Sequence, residues 1–278
     1  MLKDFQSGKK SVKTIAVASG KGGVGKTNVV ASLAFAARKA GKNVMVLDAD
    51  LGLSNIDVLL QLAPRYNIQH VLSGEKSIKD VLVEGPGGMK ILPSSSGVQE
   101  LTSLDEFQRL RIMEEFDTFE GDIDLLIIDT AAGISENVAF FCVAAEEVII
   151  VTSPEPTALT DAYALIKVLC TRYQEREFDV LVNSAKNSDE ALAIYKRLLV
   201  VTERFLNVSL NYIGYIPFDN HVSRAVRAQR AFAELYPDSP ASRQITEIAG
   251  RIMEPGGKIK GTLQFFIGNL LSGQERFK

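Results

Sequence analysis

The sequence predicts an α/β protein, a three-layer, doubly wound, mostly parallel sheet with helices on both faces. Three observations carry that expectation. Short apolar runs recur at residues 14–18, 43–48, 124–129, 147–152, 178–183 and 213–219, and runs without polar alternation mark strands buried on both faces of a parallel sheet. Several end in an acid, an amide or a proline loop, and ligands of open α/β sheets sit beyond the carboxyl ends of the strands. The first run passes through a glycine-rich turn directly into a helix-forming segment. With 278 residues and 46% hydrophobic content, the chain can bury a large core. We expect one continuous domain over residues 14–257, a flexible lead-in over 1–13 and a separate C-terminal helix over 258–278.

The turn is Ser19-Gly20-Lys21-Gly22-Gly23-Val24-Gly25-Lys26-Thr27, followed by an Ala-, Val- and Leu-rich stretch to residue 40 without Pro or Gly. Gly20 with Gly25-Lys26-Thr27 matches G-x-x-x-x-G-K-[ST]. In that motif backbone N–H groups wrap phosphates, the lysine reaches the outer phosphates and the hydroxyl ligates Mg²⁺. The helix N-terminus beyond it also faces the anion. Gly20, Lys21, Gly22, Gly23, Val24, Gly25, Lys26, Thr27 and Asn28 are therefore nucleotide-binding candidates, and Thr27 is a metal-ligand candidate.

Further along, residues 43–48 end in Asp48, and Asp50 follows two positions later. Both acids fall at the tip of the expected strand, where they serve either the nucleotide site or as loop caps. Residues 81–93 hold a Gly-Pro-Gly-Gly turn before another short apolar run, which predicts a hairpin or an added strand at a sheet edge. Residues 107–119 read as an amphipathic helix. In residues 124–129 four apolar side chains end in Asp129, the arrangement that brings a carboxylate to Mg²⁺ or its water. The small residues 130–133 then allow the backbone to approach a γ-phosphate, a natural switch loop. Residues 147–152 run into a loop punctuated by Pro154 and Pro156, and residues 157–170 predict a helix capped by Thr157. Asn183 ends the next run; its amide offers the donor and acceptor that an adenine edge needs, or else satisfies a turn. The guanine-reading string N-K-x-D is absent, so ATP is expected over GTP.

Composition removes several classes. Lys+Arg 31 against Asp+Glu 34 gives a net charge of 31 − 34 = −3, which argues against a general polyanion binder, so no direct nucleic-acid contact is expected. Cys142 and Cys170 lack C-x-x-C spacing and read as reduced thiols of a cytosolic protein. His70 and His221 have no partner spacing for a metal or a triad. No secretory signal precedes the domain, and no stretch reaches the apolar length of a bilayer span. Any membrane contact is therefore peripheral.

The loop K-G-G-V-G-K-T, with Lys21 five residues before Lys26, resembles the deviant Walker A ATPases of the MinD/ParA family, as does D-A-D-x-G-x-x-N-x-D from Asp48 to Asp57. The resemblance implies a P-loop NTPase fold and a slow ATPase using ATP and Mg²⁺. It implies that Lys21 reaches the partner's phosphates in a nucleotide-sandwiched homodimer, making Lys21, Lys26 and Asp50 the catalytic set. Asp50 would orient the attacking water; Asp48 would support Mg²⁺ from its outer shell, beside Thr27 and Asp129. Glu155 and Asp161 would contact the partner subunit or the ribose across the dimer, or else be solvated surface acids. Asn183 and the I-P-x-D loop with Pro217 and Asp219 would frame the base.

Within that family the strings D-A-D-L-G-L-S-N-I-D, D-T-A-A-G-I, P-E-P-T-A-L-T-D-A-Y-A-L-I-K, I-P-F-D and the tail L-Q-F-F-I are most similar to the FlhG/FleN (YlxH-like) regulators of flagellar number. In the tail, Leu263, Phe266, Ile267, Leu270 and Leu271 share one helical face flanked by Lys258, Lys260, Arg276 and Lys278, a pattern suited to an anionic membrane surface. A terminal helix docked on its own domain has the same pattern. The expected protein is an ATP-driven dimerising switch of the bacterial cytoplasm, peripheral on the inner membrane face when ATP-bound. Its implied partners are a flagellar transcriptional activator or a C-ring component. Some relatives carry an N-terminal D-Q-A-x-x-L-R stretch that stimulates a signal-recognition-type GTPase, and residues 1–13 hold nothing like it. The rival readings are a cell-division-site or chromosome or plasmid partition ATPase, a metal-cluster carrier, and an amide-forming metabolic enzyme on the same fold.

Overall fold

The computed structural model describes residues 12–52, 55–94, 104–119, 121–254 and 264–266. Among these residues one eight-stranded sheet runs through the molecule. Its strands are β1 (Lys13–Ser19), β2 (Val44–Ala49), β3 (Val83–Glu84), β4 (Lys90–Leu92), β5 (Leu125–Ala132), β6 (Glu147–Thr152), β7 (Glu177–Ala185) and β8 (Ser209–Pro217). The helices are α1 (Lys26–Lys39), α2 (Ile56–Leu59), α3 (Ile68–Leu72), α4 (Ile78–Val81), α5 (Glu106–Asp117), α6 (Glu136–Ala144), α7 (Pro156–Tyr173), α8 (Ser188–Phe205), α9 (Asn220–Arg227), α10 (Phe232–Leu235) and α11 (Pro240–Ile252).

The strand order is β3-β4-β2-β5-β1-β6-β7-β8. All pairings are parallel except β3 with β4. The expected edge hairpin is therefore present, turned by a 3₁₀ segment, Pro86–Gly88. The apolar runs behave as their composition dictates, each strand sending alternate side chains to opposite faces. Ala16, Ala18, Leu126 and Ile128 join one buried cluster with Phe116, Phe141, Leu165 and Leu198 from the α5–α8 layer. Ile15, Val17, Leu125 and Ile127 join a second with Val29, Leu33, Ile245 and Ile248 from the α1 and α11 layer. Each fully buried aliphatic side chain contributes roughly 1.5–3 kcal/mol, so the two-sided burial of the central strands anchors the sheet. β1 lies between β5 and β6, so the C-terminal tips of β2, β5 and β1 stand side by side at one edge of the molecule.

Two helix starts differ from the sequence expectation. α5 begins at Glu106 because Asp105 and Gln108 form a reciprocal capping box. α7 begins at Pro156, a residue with φ preset for the first helical turn and no N–H to leave unpaired. Glu155 is its N-cap without a side-chain bond to the helix backbone, and Thr157 is no cap; its hydroxyl is engaged elsewhere.

The tail requires a larger correction. Residues 264–266 form a turn rather than a helix, and Phe266 has φ 59. Phe265 and Phe266 are buried, with ring centroids 4.7 and 5.5 Å from Phe116. The Phe265 N–H donates to the Ala144 carbonyl at 2.9 Å. Phe266 is thus not part of an exposed apolar face, because α5 and α6 supply an aromatic socket for the paired phenylalanines. Leu263, Ile267, Leu270 and Leu271 lie outside the described residues. Among the described residues no helix is long and apolar enough to cross a membrane.

Candidate functional site

The β1–α1 turn is shaped by two glycines that tolerate no side chain. A Cβ on Gly20 would stand 2.0 Å from the Asp161 carbonyl oxygen in α7. Gly25 adopts φ 85 as the N-cap of α1, and a Cβ there would meet the Asn183 amide at 2.4 Å. No side chain caps α1, and its first turn holds no acid. Its free N–H groups and positive dipole end are left for an anion. They face a cavity of about 630 Å³ lined by residues 21–28 together with Ser19, Asp50, Asn55 and Ala132.

Three strand tips meet here. Asp48 and Asp129 are register partners across β2 and β5, and both are buried. The Lys26 ammonium, itself buried, pairs with Asp129 Oδ1; Asp129 Oδ2 is buried without a hydrogen-bond partner. Asp48 accepts backbone N–H groups from Asp50 at 3.1 Å, Asn55 at 3.1 Å and Ile56 at 3.2 Å. Burial first, and then the charge of Asp129, push the Asp48 pKa up to about 7 against those three donors. Asp50 is tethered by the Asn55 side-chain amide at 3.1 Å. The loop after β5 is joined to the glycine turn by the Gly133 N–H, which donates to the Ser19 carbonyl at 2.9 Å.

This arrangement fits a divalent cation held jointly with phosphates. Two carboxylates are pressed together, one with its proton affinity raised and the other with an orphaned buried oxygen, and Thr27 lines the cavity of the glycine turn. Magnesium uses one or two carboxylates plus substrate phosphates rather than an all-protein cage. Among the described residues no cluster of three or more His, Cys, Asp or Glu forms such a cage.

The second lysine behaves differently from the first. Lys21 Nζ donates to Glu155 Oε2 at 2.6 Å and to Thr157 Oγ1 at 2.7 Å, at the partly exposed rim of the cavity. Glu155 is thus beside Lys21 within one chain, whereas Asp161 meets the turn through its main chain at Gly20. The base-framing candidates stand outside the cavity lining. Asn183 donates to the Val24 carbonyl at 2.7 Å and braces the turn from behind. Pro217 pairs with Ala185 at the end of β8. Asp219 caps α9 through the His221 N–H and ties the start of α11 through the Ala241 N–H. His221 and His70 both serve local structure, the first on Asp219 and the second in the capping box of α3. Sequence reasoning missed Val58, Leu59, Val226 and Gln229, which complete the lining. Asn55 was visible in the D-A-D string; the other four carry no local signal.

A glycine turn between strand and helix, with a buried lysine and Asp50 lining one cavity and two buried acids paired across β2 and β5, defines a P-loop nucleotide-binding protein. A family profile described as an AAA domain matches residues 12–180. The chain is 44% identical over 263 residues to the antiactivator FleN of Pseudomonas aeruginosa, covering 94% of each. It is 34% identical over 252 residues to the flagellum site-determining protein YlxH of Helicobacter pylori, covering 90% of this chain and 85% of that one. Among solved structures, the MinC:MinD cell division complex of Aquifex aeolicus aligns with TM-score 0.70 and 29% identity over 90% of this chain and 99% of that one. MinD from Pyrococcus horikoshii complexed with Mg-ADP aligns with TM-score 0.72 over 88% and 97%, and at 23% identity shows the shared fold. The chain belongs to the MinD/ParA-type ATPases, close to the FlhG/FleN flagellar number regulators.

Proposed function

We propose that the chain is a slow ATPase whose ATP-bound state dimerises and regulates flagellar number or placement. The observation that supports it best is Lys21: a second cation beside the phosphate loop, held at the rim by Glu155 and Thr157 rather than directed into its own site like Lys26. In this reading the backbone of residues 22–28 and Lys26 bind the phosphates of ATP. Thr27 and Asp129, with Asp48 behind them, would hold Mg²⁺, whose charge would offset that of the phosphates. Asp50, kept in place by Asn55, orients water for in-line attack. Lys21 leaves Glu155 for the phosphates of a second subunit, and Glu155 and Asp161 then face that subunit. Asn183, Pro217 and Asp219 shape the base end. The similarity to FleN and YlxH over most of both chains supports a flagellar transcriptional activator as the partner, with a C-ring component as the second choice. Peripheral membrane residence rests on Leu263, Ile267, Leu270 and Leu271 of the tail, with Phe266 available only if it leaves its socket.

Sedimentation velocity with ADP and with a non-hydrolysable ATP analogue tests the central step. Dimer is expected with the ATP analogue only. Lys21→Ala should keep nucleotide affinity and stay monomeric, and a Lys21→Ala dimer of wild-type strength would refute the sandwich.

A further inference from the structure

The nucleotide cavity has a second wall, made by Val58 and Leu59 of α2 and by Val226 and Gln229 at the end of α9. α2 follows directly on the segment that carries Asp50 and Asn55, so this wall is continuous with the catalytic loop. Val58 and Val226 are 60% and 38% exposed, apolar surface that a nucleotide filling the cavity would shield from water. One hydrogen bond joins the two halves: Gln229 Nε2 donates to the Val58 carbonyl at 2.8 Å.

The backbone at Gln229 is unusual for its residue type. The Gln229 N–H donates to the Val226 carbonyl at 3.0 Å and the Arg230 N–H to the Ala225 carbonyl at 3.1 Å, the two bonds of a Schellman helix end. The residue between them takes a left-handed conformation, φ 51, where glycine is the usual choice. A glutamine there accepts backbone strain, and what glycine would forfeit is the side-chain amide that reaches α2.

We propose that Gln229 is a positioning residue of the nucleotide pocket: by tying the end of α9 to α2 it holds the apolar wall of the cavity in place and slows nucleotide release. The inference rests on the nucleotide-binding reading of the cavity. It touches no phosphate and no reacting atom, so its signature is kinetic rather than chemical.

Stopped-flow displacement of a fluorescent ADP analogue from the full chain, with Mg²⁺, measures the release rate. Failure of the wild-type chain to bind the analogue would remove the nucleotide reading itself. With binding in place, Gln229→Glu, which keeps size and loses the donor, should release about fivefold faster, the worth of one ordinary hydrogen bond. Gln229→Gly should release at least as fast while its thermal stability is equal or higher, because the left-handed backbone is relaxed. Gln229→Lys, which restores a donor, should return the rate towards wild type. A glycine variant that is stable and releases ADP at the wild-type rate would overturn the proposal, as would a glutamate variant indistinguishable from wild type.

Discussion

Raising the pH of the nucleotide-free protein from acid to neutral should weaken it, and Asp48 should be the reason. Its carboxyl is buried beside Asp129, and its pKa is lifted from 3.8 to about 7. The unfolded chain releases this proton near 3.8 and the folded chain near 7, so between those values the folded state holds a proton that the unfolded state lacks. The stabilisation is complete below the lower value and is lost as pH rises through the upper one. A span of about three units at about 1.36 kcal/mol each amounts to about 4 kcal/mol, a large share of the roughly 5–15 kcal/mol that holds a domain together. Asp80 and Asp219 have lowered values, so their contributions, of opposite sign, fall away only below the window. Urea unfolding followed by far-UV circular dichroism suits a chain without tryptophan, run from about pH 4.5 to about pH 7.5. Asp48→Asn is the control. It keeps one acceptor but turns its amide towards a backbone N–H that Asp48 now satisfies, so it should start lower and stay flat. A wild-type midpoint that does not fall with pH, or an equal slope in Asp48→Asn, would refute the reasoning.

Two further outcomes follow from packing. Phe265→Ala should cost about 3–5 kcal/mol, as for a buried phenylalanine deleted from a close-packed core, read as a lower urea midpoint. Gly20→Ala should drive α7 from the phosphate turn, since its Cβ would meet the Asp161 carbonyl oxygen at 2.0 Å. A loss of ADP affinity of at least about tenfold by calorimetry is expected, with a stability cost of about 1–3 kcal/mol for overpacking.

The parts of this molecule legible in the sequence are those whose cause is local. Gly20, Gly25 and Lys26 stood out because a phosphate turn needs those residue types at fixed spacing, and the turn between β1 and α1 leaves no room for a side chain at either glycine. Asp48 and Asp129 stood out because each ends an apolar run; the structure sets them side by side across β2 and β5, with β5 running on to Ala132. The edge hairpin followed from its glycines and proline. What stayed hidden depends on residues distant in sequence. The engagement of Lys21 by Glu155 and Thr157 spans 134 and 136 positions. The wall made by Val58 and Gln229 joins segments 171 positions apart. Phe266 shows the limit of periodicity: an apolar helical face reads the same whether a bilayer or an aromatic socket covers it, and here residues 264–266 are not helical at all.

The pairing of Lys26 with Asp129 links phosphate affinity to cation affinity. A phosphate that draws Lys26 away from Asp129 would leave Asp129 a bare buried carboxylate beside Asp48. An uncompensated buried charge of that kind costs about 3–5 kcal/mol. A divalent cation at the orphaned Asp129 oxygen offsets that cost, so each ligand should tighten the other by the same factor. Calorimetric titration of ADP with Mg²⁺ and with chelator measures it; the wild-type affinity should rise at least about tenfold with the cation, since every 1.4 kcal/mol is about tenfold. Asp129→Asn removes the charge that needs compensation. It should bind ADP without Mg²⁺ more tightly than wild type does, and respond little to the cation. An undiminished Mg²⁺ effect in Asp129→Asn would show that the coupling arises on the phosphates alone and that the buried pair plays no part in it.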